Sequence, residues 1–307
     1  MYLYWKNKLK MIGNKKNDLT LFDFQNSFST ENDCLEYLAN EKWKDGYVCK
    51  KCSNTSYCKG IKDLDRQCTK CRYLESPTAG TLFHKIKFPL VKAFHIVYFI
   101  STNKKGITST ELSRKLGLKQ KVCWLFKRKV MKAMDSSKNF PLSGIVEVDE
   151  TFVGSSDENA KGSKKGKKKL VVVAIEKKKN GVSRFYAKVI DKANAENLGE
   201  FMRTTIKKEA KITTDEWTGY KPLDKEFENM IHKKSGKKGE NFPELHRVIM
   251  NFKGWLRGLH HHVGDLQDYI NEYTYRFNRS FMKGNIFDNL MIRMINTTPH
   301  TYKTIIC

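Results

Sequence analysis

Four cysteines set the tightest constraint on what this chain can fold into. Cys49 and Cys52 form one CxxC pair and Cys68 and Cys71 a second, with fifteen residues between the pairs. Two knuckles at this spacing close a tetrahedral four-thiolate site, which predicts a zinc ribbon holding Zn2+ on Cys49, Cys52, Cys68 and Cys71. Such a site is coordinatively closed, so its role is structural. Cysteines paired in this way point to metal binding in a reducing compartment rather than to a disulfide framework. Cys58 lies within the ribbon loop as a spare thiol.

Charge narrows the class of partner. The chain has 58 Lys and Arg against 33 Asp and Glu over 307 residues, a formal net charge of +25. A protein this basic, with 39% hydrophobic and 12% aromatic residues to build cores, is expected to meet a polyanion, first of all nucleic acid. Its length suits two or three small domains. No apolar stretch approaches the ~20 residues of a membrane span. The Met1–Asn17 segment is basic but has no apolar core, so it does not read as a secretory signal. The expected location is cytoplasmic and nucleoid-associated, with no membrane partner.

Pattern changes divide the chain into a basic arm over 1–18, a short helical segment plus ribbon over 19–86, a helical region over 87–140, a strand-rich domain over 141–296 and a tail over 297–307. The helical segment before the ribbon runs from Leu19 to about Asp45. In the helical region, Phe88–Ser101 is a continuous apolar helix with His95 as a packed core residue. Thr108 and Glu111 then form a capping box, and Gly117 ends the short helix they start. A second helix follows from about Lys119 to Met134. Two helices around a glycine turn, the second bearing Lys119, Lys121, Lys127 and Arg128, suggest a DNA-binding helix-turn-helix. An ordinary helical hairpin with a solvated basic face is the competing reading.

Beyond Pro141 the period becomes that of strands. Residues 145–150, 169–176 and 182–190 are β-rich, 195–208 helical, 211–215 a further strand and 242–258 a helix. Three strands, helix, strand, then helices is the element order of an RNase H-like α/β domain with a mixed sheet. The Lys/Gly segment 162–169 is a solvated turn or a phosphate contact.

Two acids stand out in so basic a chain. Asp149 ends the run IVEVD, and Asp215 ends ITTD. Alternate residues of a strand share a face, so Asp149 lies with Glu147 and Ile145, away from Val146 and Val148. If the two strands are neighbours, both aspartates reach one divalent-metal site suited to phosphate chemistry. Otherwise each is a turn residue or helix cap. A third ligand is expected downstream, in PELHRVIMNFKGWLRGLHHHV. On a helical wheel, Leu245, Ile249, Phe252 and Leu256 form the core stripe. His246, Met250, Lys253 and Arg257 lie on one flank, Asn251 and Trp255 on the other. His246 is favoured because imidazole is the better metal ligand and shares its flank with Lys253 and Arg257, which suit a DNA backbone. Asn251 is the alternative third residue. His260, His261 and His262 read as a loop.

With the paired CxxC motifs, VDETFVG, TDEWTGY, HRVIMNFKGWLRGLHHHV and YINEYTYRFNR together, the chain over about residues 25–296 resembles the bacterial insertion-sequence transposases with an N-terminal zinc ribbon and an ISXO-like DDE domain. The resemblance implies that Asp149 and Asp215 are the first two catalytic acids, His246 the third residue and Lys253 the trailing lysine. It implies Mg2+ or Mn2+ at that site, two-metal cleavage and strand transfer, double-stranded DNA (terminal repeats and target) as partner, and a homo-oligomer. Most relatives carry Glu where this chain has His246. A catalytically inactive DNA-binding regulator is therefore the alternative expectation.

Overall fold

The computed structural model describes residues 19–135, 139–154, 168–179, 181–234, 236, 240–259, 265–282 and 285–306. The basic arm, His260–His262 and most of the 162–169 segment lie outside them. The chain forms two compact units, one of residues 1–133 and 281–307, the other of 134–280.

The first unit begins with α1 (Leu21–Ser27) and α2 (Glu31–Lys42). The single helical segment expected from Leu19 to Asp45 is thus two helices. Thr30 breaks it: its backbone is extended, its hydroxyl accepts from the Asp33 N–H, and the Asp33 carboxylate accepts from the Thr30 N–H. This reciprocal cap satisfies donors that would otherwise be orphaned at the helix start. Strands β1 (Tyr57–Lys59), β2 (Arg66–Cys68) and β3 (Leu74–Glu75) form a small antiparallel sheet in that order. Helices α3 (Leu90–Thr102), α4 (Ser109–Leu116) and α5 (Gln120–Ala133) follow. Thr108 accepts from the Glu111 N–H at the start of α4, and Gly117 ends it in the left-handed region at φ +60°.

The second unit is built on a five-stranded sheet. Strands β4 (Ile145–Val153), β5 (Lys169–Lys178) and β6 (Gly181–Ile190) form an antiparallel meander. Helix α6 (Ala195–Thr205) leads to β7 (Lys211–Thr214), and a 3-10 turn (Lys221–Lys225) leads to β8 (Asn229–His232). The sheet order is β6-β5-β4-β7-β8, with β7 parallel to β4 and β8 parallel to β7. That order and that mixture of directions define an RNase H-like sheet. One face packs on α6: Val146, Val148, Val172 and Ala174 bury against Leu198, Phe201 and Met202. Helix α7 (Pro243–Leu259) buries Leu245, Ile249, Phe252 and Leu256, the stripe its period predicts. The ring of Phe252 meets Phe185 of β6 and Tyr273 of α8 (Leu266–Asn278). Strand β4 runs three residues beyond Glu150, because Thr151–Val153 pair with Val171, Leu170 and Lys169 of β5.

The chain then returns to the first unit as α9 (Asn285–Asn296) and α10 (Lys303–Ile306). Pattern alone groups residues 285–296 with the strand-rich domain. Instead α9 packs Phe287 against Phe24 and Phe28, Asp288 accepts from the Tyr37 hydroxyl at 3.1 Å, and the Met294 carbonyl accepts from the Leu82 N–H.

Candidate functional site

The four CxxC cysteines converge at the base of the small sheet. Cys49 Sγ lies 3.6 Å from Cys71 Sγ, and Cys52 Sγ lies 3.6 Å from Cys68 Sγ. A disulfide would need ~2.05 Å, whereas thiolates at 2.3 Å from one ion stand about 3.8 Å apart. The N–H of Lys51 points at Cys49 Sγ and that of Cys71 at Cys68 Sγ, the knuckle arrangement that stabilises thiolates. Against the penalty of burial, the Cys71 N–H and the Asn54 amide bring the Cys68 thiol down to about 6. Donor type, number and spacing all fit a tetrahedral soft-ligand metal. Cys58 is exposed and directed at the Gln67 carbonyl, away from this cluster.

The second cluster forms where β7 parts from β4. Pairing between these strands ends at Glu147 and Thr213. One carboxylate oxygen from each of Asp149, Glu150 and Asp215 lies within 4.8 Å of the others. Asp149, with a side chain 15% exposed, accepts the Glu150 N–H at 2.7 Å. Asp215 accepts the Trp217 N–H at 3.1 Å on Oδ1, so it serves as a turn acid and still faces Asp149. Glu147, on the face of Asp149, is occupied by Lys177 at 2.7 Å. Burial, and then the charge of Asp215, push the Asp149 carboxyl up to about 6. Burial pushes Glu150 up to about 7, with Asp149 and Asp215 adding to it. Three crowded carboxyls whose negative charge is under-compensated are what a divalent cation relieves.

Helix α7 carries His246 to this cluster. His246 Nε2 lies 3.8 Å from Asp149 Oδ2 and has no hydrogen-bond partner among the described residues. That gap exceeds a hydrogen bond but is shorter than the ~4.2 Å across an ion with 2.1 Å bonds. Asn251, the alternative third residue, is exposed on a different side of the helix. Lys253 is half-buried, and burial, then Lys168 and Arg257, hold its ammonium below the ordinary lysine value, while Asp149 opposes them. Arg257 is exposed. Sequence reasoning missed Glu150 and its partner Tyr220, a wholly buried residue whose hydroxyl donates to Glu150 Oε1.

The basic residues expected to contact DNA divide into two pairs. Lys119 and Lys121 are exposed. Lys127 and Arg128 are buried: Lys127 Nζ donates to the Ile107 carbonyl at 2.8 Å, and the Arg128 guanidinium lies over the Trp124 ring. Both side chains are thus engaged inside the first unit rather than presented at its surface. The reason is packing, since α5 also buries Cys123, Phe126, Val130 and Met131 and leaves little free face.

Sheet order and acid placement together define an RNase H-like domain with an acidic centre at the parting of its parallel strands. Residues 141–278 match the ISXO2-like transposase domain family, which identifies that part of the chain as a transposase DDE domain. No characterised protein matches the chain as a whole sequence. Two solved structures are among those the chain is similar to, both at low similarity. The Mos1 strand transfer complex shows 10% identity over 68% of this chain and 78% of that chain, at a TM-score of 0.31. A pre-cleavage Mos1 transpososome shows 10% identity over 68% and 79%, at 0.28. Likeness at that level assigns no residue. No described helix is long and apolar enough to cross a membrane.

Proposed function

We propose that this transposase binds the ends of its element and catalyses divalent-metal-dependent DNA strand cleavage and strand transfer at Asp149, Asp215 and His246. The observation that carries the reading is the closeness of Asp149 to both Asp215 and His246. The Asp149 carboxylate lies within 4.8 Å of that of Asp215 and 3.8 Å from the His246 Nε2, an imidazole nitrogen with no hydrogen-bond partner among the described residues. Asp149, Asp215 and His246 would hold the divalent ions, Mg2+ or Mn2+, that this chemistry uses. Ions held there supply activation of the attacking hydroxyl and neutralisation of charge on the leaving 3′ oxygen.

The residues of the chain do the rest. Asp149 on β4 and Asp215 just past the end of β7 would present their carboxylates to the reacting phosphate from fixed positions. His246 contributes a neutral donor, so the site carries one negative charge fewer than a three-carboxylate site. Lys253 and Arg257, seven and eleven residues beyond His246, would hold the scissile strand through its phosphates without reading its sequence. Lys119 and Lys121 at the start of α5 would contribute to end recognition. The four cysteines would hold Zn2+ and fold the ribbon without joining the chemistry. Gel-shift and nicking assays on one duplex test the reading: Asp149→Ala should abolish cleavage while end binding persists. Cleavage retained in that variant overturns it.

A further inference from the structure

Nothing in the β-ladder holds Asp215 to Asp149. Pairing of β4 with β7 stops at Glu147 and Thr213, two residues short of both aspartates. Their spacing must be set by something else, and one connected set of hydrogen bonds does so. Asp215 Oδ1 accepts the Trp217 N–H at 3.1 Å, and the Trp217 carbonyl accepts the Tyr220 N–H at 3.1 Å. The Tyr220 hydroxyl then donates to Glu150 Oε1, back on β4 beside Asp149. The turn between is closely packed. Trp217 Nε1 donates to the Ala193 carbonyl at 2.7 Å. A Cβ on Gly219 would stand 2.8 Å from that carbonyl oxygen and 2.9 Å from that indole nitrogen, so the turn closes only around glycine.

Glu150 enters this arrangement from the opposite face of the sheet. Strand alternation puts it with Val146 and Val148, in the core that also contains Tyr220, whereas Asp149 faces α7. Its carboxyl comes near the aspartates only because β7 has ended. We infer that Glu150 is a positioning residue rather than a metal ligand, and that the Tyr220–Glu150 hydrogen bond is the strut fixing the Asp149–Asp215 spacing on which metal binding depends. This rests on the proposed metal site, and it separates Glu150 from the carboxylates beside it by role.

The test is Mn2+ titration of the full-length protein, followed by electron paramagnetic resonance, with folding checked by circular dichroism. Tyr220→Phe keeps the ring and removes only the donor, and should weaken Mn2+ binding about tenfold. Glu150→Gln keeps an acceptor oxygen for Tyr220 and should weaken it less than about threefold. Trp217→Phe loosens the same turn without touching either residue, and should weaken it measurably should Tyr220→Phe fail to fold. Glu150→Gln losing more affinity than Tyr220→Phe would make Glu150 a ligand and overturn the inference. Wild-type affinity in both Tyr220→Phe and Trp217→Phe would overturn it too. Failure of the underlying metal site looks different: wild type and Asp149→Asn would then titrate alike.

Discussion

Replacing Asp149 by Asn should stabilise the metal-free protein, in a pH-dependent way. Burial and the neighbouring Asp215 raise the Asp149 carboxyl from an ordinary 3.8 to about 6. Between those values the native chain holds a proton that the unfolded chain has released. Stability therefore falls as pH rises through that window and stays lower above it. The difference is a little over two pH units, worth roughly 3 kcal/mol at about 1.4 kcal/mol per unit. Asparagine carries no such cost and can still accept the Glu150 N–H. At pH 8 the variant should be more stable than wild type by up to about 3 kcal/mol, which for a unit of this size is on the order of 6–12 °C in Tm. Near pH 4 the two should melt together. Excess Mg2+ or Mn2+ at pH 8 should raise the wild-type Tm and leave the variant unmoved, since binding to the native state alone stabilises it. Calorimetric melts at pH 4 and pH 8, with metal and with chelator, make the comparison. A variant that melts below wild type by the same margin at both pH values would refute the reasoning, because Asp149 would then be held by favourable partners rather than crowded by like charges.

Other consequences can be checked directly. Cys49→Ser should lose bound zinc by elemental analysis and expose the ribbon to proteolysis; unchanged zinc content would contradict the four-thiolate site. His246→Ala should lower strand cleavage by more than about 100-fold, the upper range for losing even an outer-shell partner of a metal, whereas His246→Glu should recover a large part of it. Lys127→Ala should reduce stability by about 1–3 kcal/mol through the buried carbonyl it abandons, with little change in DNA affinity for the folded protein. Lys119→Ala and Lys121→Ala should do the reverse, each reducing the salt dependence of DNA binding by about one ion.

Much of this arrangement was legible in the sequence, and the parts that were not have physical reasons. Two-residue alternation along IVEVD and the 3.6-residue stripe on α7 are strong signals because each element buries one face, so the faces of Asp149 and His246 follow from pattern. Cysteine spacing is equally direct. Strand β8 escaped because NMIH is four residues long with no alternation to read. Glu150 escaped because alternation assigns it to the far side of the sheet, and only the early end of β7 brings it near the aspartates. Charge on a helix is ordinarily solvated, so Lys127 and Arg128 read from sequence as facing DNA. Long basic stems can instead be buried when their heads find a carbonyl or an aromatic face.

The central claim is that Asp149 anchors a metal site that cuts DNA. It is tested most directly by incubating wild type and Asp149→Ala with a duplex carrying the DNA that flanks the gene, in Mn2+, and resolving the strands on a denaturing gel. The account predicts nicking at the element end by wild type, none by the variant, and equal gel shifts for both. Equal nicking by the two proteins would contradict it.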